Sequence, residues 1–553
     1  LLSTLVVGLL LATGSRLHAQ EGTKPVVVVS VSSYDELLKD IEYIGQLRNQ
    51  PELAKTLEGL LGFFTQGQGL NGLDKSRPWG MAVLTDGATF PKALFLPVSD
   101  VDKLLAALMA FVGQPKDAGD GVLEITLQQN NMPLFIKNQE GWAWISQSAD
   151  ELAALPKNPL ELLGGMEKQY DLAVRANVQN VPEIYRQLAV DALTDGFEKN
   201  LQKEEGEDDA SFEKRKQFAR SQLENMVTVI NELDQLTIGW SIDRTAKKTH
   251  FDFGMTAKPD SKTASQMARI KDFKTRLSGF IQPAGVLSLS AASSYTDEEA
   301  AQAQQTLDSA RETVLNDIEN SDDIEDEQTR KQLASIVSDG MDILKAMLKG
   351  GRSDAAASVT GSGPYVASGA LFVGDTARVA PLVDKIVELL KSRERLVSFD
   401  KKVSQTAGVS FDKITLKPRE GEQGEKIAKL LGEGNIEILV GTDKDTVYVA
   451  AGSGALPALE QGIQTSKTAG ETPATPLNFT ASTAAIAQLV SLVDDDNLQA
   501  GAMAAMLKEG GNDKIRVQYQ PVTNGVIVRL EAEEGVIKLM GMLAPQRAQP
   551  PGF

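Results

Sequence analysis

One long stretch of this chain is written twice. Leu134 to Leu155 (LFIKNQEGWAWISQSADELAAL) aligns without a gap on Ile438 to Leu459 (ILVGTDKDTVYVAAGSGALPAL) at an offset of 304, which places Trp144 on Tyr448. Leu172, Val174 and Ala176 then fall on Leu477, Phe479 and Ala481 at an offset of 305. Upstream, Ala93-Leu94-Phe95 matches Ala370-Leu371-Phe372, and Val101, Leu104 and Leu108 correspond to Val379, Leu382 and Ile386. Ser32-Ser33-Tyr34 answers Ser293-Ser294-Tyr295 near the start of each copy. A repeat of this length requires both copies to fold by one plan. It constrains architecture and says nothing about chemistry.

The repeat predicts two halves, Lys24 to Ile281 and Gln282 to Leu543, in a chain whose 553 residues exceed what one hydrophobic core organises. Within each half a finer pattern recurs, a period-2 strand running into a polar cap and an amphipathic helix. The instances are Val26–Val31 into Ser33–Leu47, Leu172–Val178 into Asn180–Leu193, Val286–Ala292 into Ser294–Leu315, and Leu477–Ala481 into Ser482–Val493. Ser or Asn at each junction can accept from free helix amides. Hairpins follow: Met81–Leu84 with Ala93–Pro97, Leu236–Ile242 with His250–Thr256, Ile436–Val440 with Val447–Ala451, and Ile515–Tyr519 with Val526–Ala532. Alternation such as Leu236, Ile238, Trp240, Ile242 implies one buried and one wetter face. Hairpins outnumber crossovers, so the expected fold class is α+β, with helices packed on an antiparallel sheet in each half.

Two acidic stretches, Lys203–Ser211 and Asn320–Glu327, read as solvated loops or exposed helix starts. Across the first the offset falls from 305 to 279, so the second copy lacks about 26 residues there. Gly350 to Gly363 (GGRSDAAASVTGSG) reads as a small-residue loop, and the Pro- and Gln-rich tail Ala544–Phe553 as frayed.

Leu1 to Ala12 is uncharged and largely apolar, and Ala19 suits signal-peptidase cleavage, so residues 1–19 are expected to be an export signal. The run is short for a membrane span. The formal net charge of −19 disfavours phosphate backbones and anionic headgroups as partners, and nucleic acid is not expected. The absence of cysteine excludes disulfides, thiolate metal sites, cysteine nucleophiles and a lipoprotein anchor together.

Catalytic residue types are scarce. Beyond the leader there is one histidine, His250, in the strand THFDFGM. Period-2 geometry sets Phe251 and Phe253 on one face and His250 with Asp252 on the other. A His/Asp pair there is one reading, and an ordinary solvent-facing strand residue is the favoured one. Zinc, copper and haem sites draw on more histidine or cysteine than the chain offers. Asp494-Asp495-Asp496-Asn497 could offer oxygens to a hard cation but lacks EF-hand spacing, and Asp117 with Asp120 reads as a loop. Ser410 and Lys413 satisfy Ser-x-x-Lys, yet VSFDKITLK alternates as a strand and no Lys-Thr-Gly follows. Neither a phosphate-binding glycine loop nor a nucleophile elbow is present. Trp142 and Trp144 share a strand face and read as core, though they could line an apolar groove. Trp79 and Trp240 also fall largely within strands.

The layout resembles uncharacterised exported bacterial proteins in which strand–helix and hairpin–helix units are reiterated behind a signal peptide. That resemblance implies location and carries over no active site. The expectation is an exported, non-enzymatic envelope scaffold or binding protein, periplasmic or extracellular, soluble once processed, with no assigned catalytic, cofactor or metal residue. Its partner would be a protein or an apolar ligand. One alternative is a periplasmic carrier of lipid or another apolar ligand, with helices such as Leu104–Phe111 lining a cavity. The other is a hydrolase working through carboxylates alone.

Overall fold

The β-branched run Lys24–Val31 (KPVVVVSV) forms strand β1. Ser33, in extended backbone, ends it and accepts the Glu36 amide at 3.1 Å, so helix Tyr34–Leu47 begins where a side chain satisfies one of its free amides. The same device recurs before helix Thr483–Val493, where Ser482 accepts the Ala485 amide. Ahead of helix Asp297–Asn320 the cap is Thr296 rather than Ser294. It forms a reciprocal capping box with Glu299, which a Ser at 294 could not build.

The computed structural model describes residues 23–543, apart from 154, 204–208, 322, 323, 325, 433 and 494–497. Residues 1–19, expected to be an export signal, the tail 544–553 and the Asp494–Asn497 cluster lie outside the described residues. The protein is α+β, with every sheet pairing described below antiparallel. It divides into two compact units that are discontinuous in sequence. Unit 1 is drawn from Leu1–Asn200, Val227–Ser265 and Val522–Phe553, and unit 2 from Leu201–Met226 and Gln266–Pro521.

Unit 1 holds β1, β2 (Trp79–Thr85), β3 (Lys92–Pro97), β4 (Lys116–Gly119), β5 (Val122–Leu127), β6 (Met132–Gln139), β7 (Trp142–Ser146), β8 (Leu172–Asn177), β9 (Leu233–Asp243) and β10 (Lys248–Ala257). They pair in the order β4-β5-β6-β7-β3-β2-β1-β8-β9-β10. Unit 2 holds a short ribbon of β11 (Lys274–Thr275) with β19 (Thr472–Pro473). Its main strands are β12 (Leu287–Ser294), β13 (Arg352–Thr360), β14 (Val366–Phe372), β15 (Leu396–Thr406), β16 (Val409–Leu416), β17 (Ile436–Thr442), β18 (Thr446–Ala451), β20 (Asn478–Ser482) and β21 (Lys514–Val522). These pair in the order β15-β16-β17-β18-β14-β13-β12-β20-β21. The last strand, β22 (Gly525–Glu533), belongs to unit 1 and pairs with β10.

One segment departs from its sequence pattern. Arg352–Thr360, inside the expected small-residue loop, is strand β13, hydrogen-bonded on both sides to β12 and β14. Ala and Ser have weak strand propensity, and here position overrides it. Gly369 of β14 stands opposite Ala357, and a Cβ at that glycine would lie only 3.1 Å from the alanine's.

Trp142 and Trp144 are both buried, in a cluster with Phe95, Val28, Leu163, Met166, Tyr170 and Ala173. The ring of Phe95 meets Trp142 edge-on at 6.0 Å and Trp144 at 5.2 Å. Leu104 and Leu105 are core as well, against Ile125, Ile136 and Ala143. All four tryptophans lie in unit 1, so their fluorescence reports its unfolding selectively. Trp144→Ala should destabilise unit 1 by about 3–5 kcal/mol, read as a lower urea midpoint by tryptophan fluorescence. Trp144→Phe should cost clearly less, because the Trp144 indole N–H is buried with no acceptor.

Candidate functional site

The strand THFDFGM, flagged by its single histidine, becomes β10 and lies between β9 and β22. Its faces are the reverse of the favoured expectation. Phe251 and Phe253 are exposed, at 42% and 50%, whereas Asp252 is 1% exposed and His250 is half-buried. The reversal has a charge-based cause. Arg529 stands opposite Asp252 in register on β22 and donates from Nε and Nη2 to the two carboxylate oxygens, at 2.8 Å each. Tyr170 adds a hydroxyl donated to Asp252 Oδ2 at 2.9 Å. A carboxylate with three donors can go inside, and two phenylalanines on the same strand must then face out.

Tyr170 reaches that position because β9 carries Gly239 beneath it. A Cβ at Gly239 would sit 2.4 Å from the tyrosine ring. Burial, then the charge of Asp252, pushes the Tyr170 hydroxyl up to about 12, so it remains a donor. Burial first, and the Arg529 cation second, hold the His250 imidazole below its usual range. Its cross-strand neighbour Glu531 is buried and accepts from Lys248 at 2.7 Å. Arg175 on β8 donates to Thr237 at 3.3 Å on the same inner side. The arrangement is a charge-balanced lock. Both oxygens of Asp252 accept from protein donors, and the carboxylate is buried.

The outer face of these strands is of opposite character. Register places Leu172, Trp240, Phe251 and Leu530 in one cross-strand row. Val174, Ile238, Phe253 and Val528 form the next, and Ala176, Leu236, Met255 and Val526 the third. Leu172, Ile238, Phe251, Phe253 and Leu530 are exposed. Trp240 stacks on Phe251 at 6.3 Å, and its indole N–H is spent on Thr249 at 2.9 Å. The first two rows therefore present hydrocarbon with no free polar side-chain atom, while the third is partly covered and its Val526 is buried.

A second buried carboxylate lies in unit 1 at Asp40, which is 1% exposed and accepts from Arg244 through Oδ1, while Oδ2 has no partner. Arg244 also binds Glu36 at 2.5 Å. Burial, then repulsion from Asp171, pushes the Asp40 carboxyl up to about 6 against the pull of Arg244. In unit 2, an open cleft of about 440 Å³ is lined by Gln222, Asn225, Tyr295 and Gln302 among others. Its one cation, Arg269, is already on Glu299 at 2.5 and 2.6 Å.

The remaining sequence candidates do not converge. Asp117 is exposed in the β4–β5 hairpin, where it accepts the Gly119 amide, and Asp120 occupies the turn with φ of 52°. Ser410 and Lys413 lie on β16, and Lys413 pairs with Glu437 at 3.3 Å. Among the described residues no group of three or more His, Cys, Asp or Glu could hold a metal ion. Tyr170, Arg175 and Arg529 were not singled out in the sequence. A usable signal did exist: VIVRLEAE on β22 alternates as THFDFGM does, with Arg529 where β10 has Asp252. Compared with family models, curated proteins and solved structures, the chain matches none.

Two outcomes follow. Asp252→Ala strands Arg529 and the Tyr170 hydroxyl and should cost unit 1 about 3–5 kcal/mol, whereas Asp252→Leu combined with Arg529→Leu should recover most of that loss in the same urea titration. Asp40 titrates higher in the folded chain than its ordinary 3.8, so the unfolded state ionises first. Stability owed to this residue is complete below about pH 4 and declines as pH rises to about 6, by about 2–3 kcal/mol. Asp40→Asn should remove that decline from the pH dependence of the urea midpoint.

Proposed function

We propose that this is an exported, non-enzymatic binding protein of the envelope, built from two α+β copies, that takes an apolar molecule of acyl-chain type on the outer face of β8, β9, β10 and β22. The observation that carries the proposal is the pair of adjacent all-apolar rows with Phe251, Phe253, Ile238, Leu172 and Leu530 exposed. Antiparallel sheets ordinarily put polar side chains on a solvated face. Here charge and hydrogen-bonding groups are drawn to the inner side, and hydrocarbon faces water. A face without a free donor or acceptor selects ligands by apolar contact alone, which suits a hydrocarbon chain better than a sugar or nucleotide.

The duplication is supported by strand order. Reading unit 1 from β4 to β9 and unit 2 from β15 to β21 gives the same succession: four hairpin strands, then the two strands before them in reverse order, then the first strand of the copy, then two strands that follow the hairpins. The aligned residues Trp144 and Tyr448 are both buried on matching strands β7 and β18. Export rests on the apolar leader and its small residue at Ala19. The non-enzymatic reading rests on the commitment of Asp252 to Arg529 and Tyr170.

Native mass spectrometry of the protein purified from its own host should show a mass increment from a bound apolar molecule. Phe251→Ser with Phe253→Ser should reduce that occupancy at least tenfold, since full burial of one phenylalanine contributes about 1.5–3 kcal/mol. Both side chains are already exposed, so the circular dichroism and urea midpoint should hold. Protein of bare chain mass, with no binding of a fluorescent fatty acid, would refute the proposal. A doubled mass lost in the same variant would assign the face to self-association instead.

A further inference from the structure

Helix Leu53–Phe64 (LAKTLEGLLGFF) is amphipathic in the wrong direction for a soluble fold. Ala54 is its buried residue, and Thr65, just past its end, is buried as well. Leu57, Leu60 and Phe64, at i, i+3 and i+7, form a stripe facing out, joined by Phe63 at 78% exposure. Phe64 meets the exposed Phe111 of the neighbouring segment at 6.3 Å, with Met109 exposed beside it in sequence. A Cβ at Gly59 or Gly62 would meet nothing within 4 Å, so the helix is open at those positions as well.

Charge is absent from this tip. Gly59 to Leu73 and Leu104 to Pro115 contain no Asp, Glu, Lys or Arg. The charges bordering them include internal pairs, Lys55 with Glu52 at 3.0 Å and Lys103 with Asp100 at 2.9 Å. An uncharged protruding tip on a chain of net −19 complements an electrically neutral surface and not an anionic one. Among the described residues no helix is long and apolar enough to cross a membrane. A twelve-residue helix is about 18 Å long against a hydrocarbon core of about 30 Å. Its apolar stripe suits lying in the headgroup boundary.

We propose that the outward stripe of helix Leu53–Phe64, with Phe111, is an interfacial anchor that docks unit 1 on a zwitterionic lipid surface. This stands apart from ligand binding on the sheet face and uses none of its residues. The test is flotation of the full chain with phosphatidylcholine vesicles. The wild type should bind, equally at 0.05 and 0.5 M salt (about a threefold change in screening length between them). Phe63→Ser with Phe64→Ser should cut partitioning at least tenfold at unchanged thermal midpoint, whereas Ile427→Ser, at an exposed apolar residue of unit 2, should not. The chain has no cysteine, so Phe63→Cys can carry a single environment-sensitive fluorophore, whose emission should shift to the blue on vesicle addition. No binding, binding confined to anionic vesicles, or a dimer abolished by the same double variant would each overturn the anchor. Retained fatty-acid binding in the Phe63/Phe64 variant separates this outcome from that of the sheet-face test.

Discussion

A carboxylate almost without access to water holds the last strand of the chain to its tenth. Asp252 on β10 and Arg529 on β22 meet in register, and everything on either side of those strands follows from that meeting. Buried ion pairs are poor sources of net stability, because desolvation consumes most of the attraction. What this pair supplies is register. A slip of β22 by one residue would turn Arg529 onto the apolar face and leave Asp252 opposite Val528 or Leu530. The slip leaves Asp252 buried without its cation, so the shifted registers are raised in energy more than the native pairing is lowered.

The lock also decides what the other face looks like. Strand geometry gives neighbouring residues opposite sides, so committing Asp252 inward commits Phe251 and Phe253 outward. Gly239 completes the arrangement by letting Tyr170 lie flat against β9. The inner side of the sheet is then filled by aromatic and aliphatic residues around Tyr170 and Ala173. The outer side keeps two rows of hydrocarbon that the fold does not fully bury. Folding stability gains little from them, and on the proposed reading binding does.

Much of this was legible locally and little of it at long range. Strands β1, β2, β3, β9, β10, β17 and β18 follow from period-2 alternation, and Ser33 and Ser482 mark helix starts by a hydrogen bond that depends on nearby residues only. Strand β13 was not legible, since Asp354 to Ser358 carry no strand propensity and are held by neighbours on both sides. The burial of Asp252 was hidden for a different reason. Its partners lie 82 and 277 residues away, and until they are placed a carboxylate on a strand reads as solvent-facing. Phenylalanine reads as core for the same cause. Alternation reveals that a strand has two faces, and the partner strand determines which of them is inside.

Two apolar surfaces in one acidic chain pose a colloidal problem that its composition answers. Exposed phenylalanines at 251 and 253 and at 63 and 64 would favour association between copies. A net charge of −19 opposes close approach of like molecules, and the repulsion acts over about a Debye length, well beyond the range of apolar contact. A neutral hydrocarbon or a zwitterionic surface meets no such barrier. On the two proposed readings the acidity acts as a selectivity device, since it penalises the partners that share the chain's charge.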